Sequence, residues 1–195
     1  MVEIYIARHG LTESNKKKIY MGRSEEGLSQ EGAVQAKNLA RSLHAIGIKR
    51  IYSSPIRRAL ETAQIVGTIL KAPIEIEEDF KEMELGSWAG LAEEEVSRKF
   101  PDDYRLWNTR PVDLVLPNRE TLGELKSRIL RTILKIKGKD SEFPVLVITH
   151  VALIRCLLIH FEGLDMNLYR TIEIPNASLF GLQWDDSQPH MSRFL

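Results

Sequence analysis

The chain predicts a single three-layer α/β domain over residues 1–195, with a mostly parallel central sheet and helices on both faces. It does so through three features. Short apolar segments alternate with longer stretches of helical periodicity along the whole chain. The run Val145-Leu146-Val147-Ile148 is continuously apolar and largely β-branched, as a central parallel strand covered on both faces is. Several helical stretches open on residues suited to helix starts, and no repeat, low-complexity tract or Gly/Ser linker divides the chain.

The elements follow in order. Residues 4–7, Ile4-Tyr5-Ile6-Ala7, read as the first strand. Ser29 then caps a helix with Ala33, Ala36, Ala40 and Leu43 at helical spacing. Residues 48–52 are a second strand. Ser54 and Pro55 start a helix with proline at its first position, continuing through Ala59, Ala63, Val66 and Leu70. A short third strand covers 74–76. Residues 91–100 open acidic and helical, and Pro101 stops them. Thr121 and Glu124 fit a capping box for a long helix to about Lys137. The strand at 145–148 leads into a helix over 152–160, and late strands are expected at 171–174 and 179–184. Residues 191–195 fit either an added edge strand or a frayed end.

Composition narrows the function classes. With 43% hydrophobic and 28% charged residues, the 195-residue chain is an ordinary globular protein rather than a disordered one. The 27 basic and 27 acidic side chains cancel, which argues against nucleic acid or an anionic membrane as partner, so any anion site must be a local cluster. A small molecule is the expected partner, and a homodimer is left open. Cys156 has no second cysteine to pair with. The N-terminus lacks the basic head and apolar run of a signal peptide, and Thr149, His150 and Arg155 interrupt the most apolar region. A cytoplasmic location is therefore expected.

Open α/β sheets bind ligands beyond the carboxyl ends of their strands. Arg8-His9-Gly10 directly follows the first strand. A neutral imidazole is a good nucleophile and a neighbouring guanidinium attracts anions, which together suggest attack on a phosphoryl group. The bare triplet is also compatible with a structural histidine at a strand end. Two further strand ends supply matching chemistry: Ser53-Ser54-Pro55 with Arg57 and Arg58, and His150 after 145–148.

With these residues in place, the chain resembles the histidine phosphatase superfamily, the phosphoglycerate-mutase-like fold, over nearly its whole length. The resemblance rests on Arg8-His9-Gly10 with Thr12 and Asn15, on Gly22 and Leu28, and on Gly32, Gln35 and Ala36. It continues through Ser53-Ser54-Pro55, Arg58-Ala59, Thr62-Ala63, Glu82 four residues before Gly86, Trp88, Gly90 and Thr149-His150. It implies that His9 is a nucleophile forming a phosphohistidine, that Arg8, Asn15, Arg58 and His150 bind the phosphate, and that Glu82 donates the proton to the leaving group. His150 is expected to be protonated by the field of the phosphate. The acidic neighbours Glu77, Glu78, Asp79 and Glu84 are not distinguished from Glu82 by sequence alone; the family pattern selects Glu82, with Glu84 next. The same pattern selects Arg58 and leaves Arg57 as a surface ion-pair residue. Arg23 lines the site or is a solvated loop cation, and Trp88 and Trp107 line a pocket or are core.

Some positions depart from the pattern. Val151 and Ala152 follow His150 where Gly or Asn is frequent, Met21 replaces a polar residue, and Asn118-Arg119-Glu120-Thr121 replaces a Gly-Gly-Glu-Ser run. The stretch from Leu91 to Glu120 is short beside that of cofactor-dependent phosphoglycerate mutases, the alternative activity, so water should reach a phosphohistidine and hydrolysis is favoured. The segment 99–119 is expected to cover the site, with Tyr104, Arg105, Trp107, Arg110 and Arg119 as substrate-binding candidates beside Arg23. Phosphoserine, a phosphoglycerate, α-ribazole phosphate and a sugar phosphate all fit; Leu85, where metal-independent phosphoserine phosphatases carry histidine, counts against the first. No cofactor and no metal are implied, because paired histidines at ligand spacing and an acidic cluster beside a phosphate loop are both missing, so activity should resist EDTA. A non-catalytic phospho-ligand-binding module on the same fold is the reading from another class, and Glu82 argues against it.

Overall fold

The computed structural model describes residues 4–139, 144–184 and 189–194. Its described strands are β1 (Ile4–Arg8), β2 (Arg50–Ser53), β3 (Ile74–Ile76), β4 (Val145–Thr149), β5 (Leu179–Trp184) and β6 (Pro189–Arg193). Its helices are α1 (Glu13–Lys16), α2 (Gln30–Leu43), α3 (Arg57–Leu70), α4 (Glu93–Lys99), α5 (Pro101–Thr109), α6 (Leu122–Lys139) and α7 (Val151–Phe161), with short 3₁₀ turns between some of them. The strands form one sheet in the order β3-β2-β4-β1-β5-β6. The first four are parallel, and β5 and β6 add an antiparallel edge.

Strand alternation divides the core into two layers. Ile4, Ile6, Tyr52, Val145 and Val147 face one way and pack with the apolar stripes of α6 and α7. Tyr5, Ala7, Ile51, Leu146 and Ile148 face the other way, onto Leu39, Ala40 and Leu43 of α2 and Ala59, Ala63 and Val66 of α3. Both faces of β1, β2 and β4 are therefore buried, as the unbroken run 145–148 requires. Among the described residues no helix is long and apolar enough to cross a membrane.

Register places the chemistry. Arg8 pairs with Thr149 and Ser53 with Ile148, so the carboxyl ends of β1, β2 and β4 finish level. Two bonds carry the ladder one residue further, His9 N–H to Thr149 O at 3.0 Å and Ser54 N–H to Ile148 O at 3.0 Å. The loop after His9 is pressed onto α2: a Cβ on Gly32 would lie 2.1 Å from the Leu11 carbonyl oxygen, so only glycine fits there.

Caps behave as expected at two helix starts. Ser29 accepts from Gly32 N–H, and Thr121 and Glu124 form their reciprocal box. Elsewhere the structure corrects the sequence reading. Pro55 is not the first residue of α3; Ile56 occupies the cap position and the helix begins at Arg57, because the Ser54 backbone is still engaged with β4 and its hydroxyl accepts from Ile56 N–H. Pro101 ends α4 and also opens α5 at its first position. Residues 171–174 form no strand. The carbonyl of Ile172 is taken by Arg155 and that of Ile174 by Arg8, so side chains rather than a neighbouring strand satisfy these carbonyls. Residues 189–193 pair as an edge strand, and Leu195 lies outside the described residues.

Candidate active site

A cavity of about 320 Å³ opens beyond the strand ends, and Arg8, His9, Asn15, Arg58 and Glu82 all line it. His9 is 2% exposed. Its Nδ1 faces the Gly10 carbonyl at 2.7 Å, and its Nε2 faces the Arg58 Nε–H at 3.2 Å. A carbonyl can only accept and a guanidinium can only donate, so Nδ1 carries the proton and Nε2 presents a lone pair. Burial, with Arg58 and Arg8 adding to it, lowers the pKa of His9 well below the ordinary histidine value. The ring is neutral, and its unprotonated nitrogen, which accepts from Arg58, belongs to a residue that lines the cavity.

Arg58, 1% exposed, is fixed by its remaining nitrogens: Nη1 donates to Ser24 O at 3.0 Å and Nη2 to Gly22 O at 2.7 Å. Arg57, its neighbour, points outward to Glu61, as expected. Arg8 donates to Ile174 O, and its Nε is buried without a partner among the described residues. Desolvation lowers its pKa to about 10, which leaves it a cation at neutral pH. Asn15 turns its amide N–H toward the Met21 sulfur at 3.5 Å, a weak acceptor that a phosphate oxygen can replace. Met21 therefore leaves the Asn15 donor available to a phosphate oxygen.

His150 is fully buried behind this wall rather than in it. Its ring stands 5.2 Å from that of His9, centroid to centroid, and its Nε2 meets Ser54 Oγ at 2.8 Å. Burial first, then Arg58 and His9, push its pKa well below the usual range, so without a bound anion it is neutral.

Glu82 completes the ring of groups. It is 7% exposed, and one carboxyl oxygen accepts from Met83 N–H at 2.7 Å. Burial raises its pKa, more than Arg58, Arg8 and two backbone N–H bonds lower it. A neutral imidazole and a carboxyl biased toward its protonated form thus face one small space. Glu84, the other candidate, pairs at the surface with Arg23.

The substrate candidates separate sharply. Trp107 lines the cavity. The other five do not. Arg105 and Arg110 stand on the solvent side of the α5 segment, paired with Asp102 and Asp113. The Tyr104 hydroxyl donates to the Glu93 carboxylate at 3.0 Å. Arg119 is buried between the Trp88 and Trp107 rings, 4.6 and 4.3 Å from their centroids. Arg23 turns from the cavity and donates to the Glu82 carbonyl at 3.0 Å. Sequence reasoning missed the groups that take their place: Lys18, Tyr20, Glu93, Arg155, Tyr169 and Arg170. It also missed Asn176, whose amide ties together His9 O, Gly10 O and Asn15 Oδ1. Arg155 had a signal, since Val151, Ala152 and Arg155 fall on one helical face; Arg170 ends a short 3₁₀ helix and Asn176 lies in a turn, neither with a readable periodicity.

A mostly parallel sheet whose strand ends gather two neutral histidines, two arginines and a protonatable glutamate defines a class, the histidine phosphatases. The chain belongs to the histidine phosphatase superfamily (branch 1), whose family model matches residues 4–195. It is 29% identical to phosphoserine phosphatase 1 of Hydrogenobacter thermophilus over 91% of this chain and 84% of that one. It is likewise 29% identical to the uncharacterized phosphatase PhoE of Bacillus subtilis, over 96% and 91%. Among solved structures, Bacillus stearothermophilus YhfR superposes with a TM-score of 0.91 at 25% identity, covering 97% of this chain and 95% of that one. By this kinship the chain is a phosphatase.

Proposed function

We propose that this phosphatase hydrolyses phosphomonoesters in two steps through a phosphohistidine at His9. In the first, the His9 Nε2 lone pair attacks phosphorus in line, the P–O ester bond breaks, and the Glu82 proton passes to the departing alcohol oxygen. In the second, water attacks the phosphohistidine, Glu82 as carboxylate takes the water's proton, and the P–N bond breaks to release inorganic phosphate. Arg8, Arg58 and Asn15 donate to the phosphoryl oxygens, and His150 gains a proton when that dianion is present. The observation that carries the reading is the fixed tautomer of His9, with Nδ1 tied to Gly10 and the Nε2 lone pair, met by the Arg58 Nε–H, in the cavity that buried Glu82 also lines. Charge is supplied by the guanidinium groups, so turnover without a metal ion belongs to the proposal.

The substrate we propose carries a second anionic group. Arg155 lines the outer wall, held by Ile172 O at 2.8 Å with its guanidinium 5.2 Å over Tyr169, and it makes no ion pair with a carboxylate of the described residues. Lys18 and Arg170 stand in the same wall, where Glu93, paired with Arg170, is the opposing charge. Small phosphorylated acids such as phosphoserine and phosphoglycerates suit such a wall, and the phosphoserine phosphatase among the relatives supports that choice. A panel of phosphoserine, phosphoglycerates, α-ribazole phosphate and neutral sugar phosphates tests it: the acids should show the highest kcat/KM, and a preference for neutral sugars would overturn the substrate assignment. A cytoplasmic site of action is also proposed, in keeping with the buried lone thiol of Cys156.

A further inference from the structure

Glu82 lies in an irregular segment between β3 and α4, without ladder bonds of its own, yet its carboxyl must be held at one place. The backbone of this segment is gripped from outside. Four consecutive carbonyls each accept from a distant side chain: Asp79 O from Arg128 Nη1, Phe80 O from Thr149 Oγ1 at 3.0 Å, Lys81 O from Arg128 Nη1 at 3.0 Å, and Glu82 O from Arg23 Nε at 3.0 Å. Arg128 is itself locked. Its Nε and Nη2 form a fork on Glu120, at 2.8 Å each, and both side chains are nearly buried. The Glu120 backbone N–H closes the circle on Glu84 O at 3.0 Å, and Arg23 Nη2 lies 3.6 Å from Glu120 Oε2. None of these three side chains lines the cavity.

We propose that Arg128, Glu120 and Arg23 form a positioning frame that aims the Glu82 carboxyl at the leaving-group oxygen. The inference rests on the reading of Glu82 as the proton donor. A planar guanidinium is suited to this task, because it can satisfy two carbonyls and a carboxylate at once with little freedom left; lysine offers a point charge on a flexible stem. Loss of the frame displaces the acid without touching the phosphate cradle. Displacements of about an ångström in a reacting group can cost about a hundredfold in rate.

The frame is tested by leaving-group dependence. For each protein kcat/KM is measured on an alkyl phosphate and on p-nitrophenyl phosphate; this parameter covers steps only through departure of the alcohol, and nitrophenolate departs without help from an acid. Arg128→Gln should lower kcat/KM on the alkyl phosphate about tenfold or more relative to p-nitrophenyl phosphate. Arg23→Gln, at an exposed residue that does not endanger the fold, should shift the ratio the same way by a smaller factor. A variant that merely lost folded protein would lower both substrates equally and leave the ratio unchanged, which would overturn the frame. Glu82→Gln is the reference. If it shifts the ratio and neither arginine variant does, the positioning role fails while the acid stands; if Glu82→Gln leaves the ratio unchanged, the acid assignment itself fails.

Discussion

At the inner end of the cavity, His9, Arg58 and Glu82 are each at least nine-tenths buried and hydrogen-bonded to backbone atoms of the loops beyond the strand ends. At the outer end, Glu93, Arg155 and Arg170 remain partly exposed, sit on two α-helices and a short 3₁₀ helix, and are held mainly by other side chains or single carbonyls. The contrast separates reaction from recognition. The inner groups are buried and held by backbone bonds, and they have little freedom to vary without loss of the reaction. The outer groups can exchange charge and size while leaving the sheet untouched, which is how a fold shared by many phosphatases can serve different substrates.

The largest effects should therefore come from the inner end. His9→Ala should abolish measurable turnover on every ester, and Arg58→Gln should lower kcat by about a thousandfold, as loss of a guanidinium on transition-state charge does. Steady-state assays on two chemically different esters check this; a strong loss on one ester alone would remove the distinction between the ends.

The next effect sharpens the inner end by pH. Activity needs His9 neutral and Glu82 protonated. Because His9 is held well below its ordinary pKa, the free enzyme should retain kcat/KM below pH 6.5; because Glu82 is held above its own, activity on alkyl phosphates should fall as pH rises past that raised value. Stability carries the same signs. The two buried histidines bind protons less readily in the fold than in the unfolded chain, so their contribution is present above about pH 6.5 and is lost as pH falls below it, by up to about 1.4 kcal/mol per unit for each. Glu82 works oppositely: its raised pKa favours the fold at low pH, and this is lost as pH rises through the raised value. Denaturant melts of His150→Gln across pH 5 to 7 should show a slope shallower than that of the unaltered protein.

Smaller effects belong to the outer end. Arg155→Met should raise KM about tenfold for substrates with a second anionic group and change p-nitrophenyl phosphate by less than about twofold, a charge-assisted contact being removed from one and not from the other. Smallest of all, Arg105→Ala should leave rates unchanged and stability within about 0.5 kcal/mol, since its ion pair with Asp102 is fully at the surface. A clear rise in KM for Arg105→Ala would mean that the outer wall extends further along α5 than its lining residues do.

The same division governs what could be read from the amino-acid order. His9, Ser54 and His150 follow strands, so periodicity alone brought them to one edge, and Arg58 came with them through the helix that follows β2. Glu82 is legible only through family resemblance, because burial, which separates it from Glu84, is a property of the packed molecule. The outer wall was misplaced for a physical reason. A cation in the right segment need not face the right way: Arg105 is two residues from Trp107 on α5, which turns it to solvent while Trp107 faces in. Thr171-Ile172-Glu173-Ile174 alternates like a strand, yet Arg8 and Arg155 capture its carbonyls, and side-chain capture has no local signature.

The most direct test is to mix the enzyme with a substrate, quench within milliseconds in alkali, where phosphohistidine survives, and locate the phosphoryl group by peptide mass spectrometry. Phosphate on His9, formed and discharged at rates compatible with turnover and missing in His9→Ala, is the expected result. Full turnover with no phosphorylated intermediate, or phosphate carried by another residue while His9→Ala remains active, would contradict the assignment of the nucleophile.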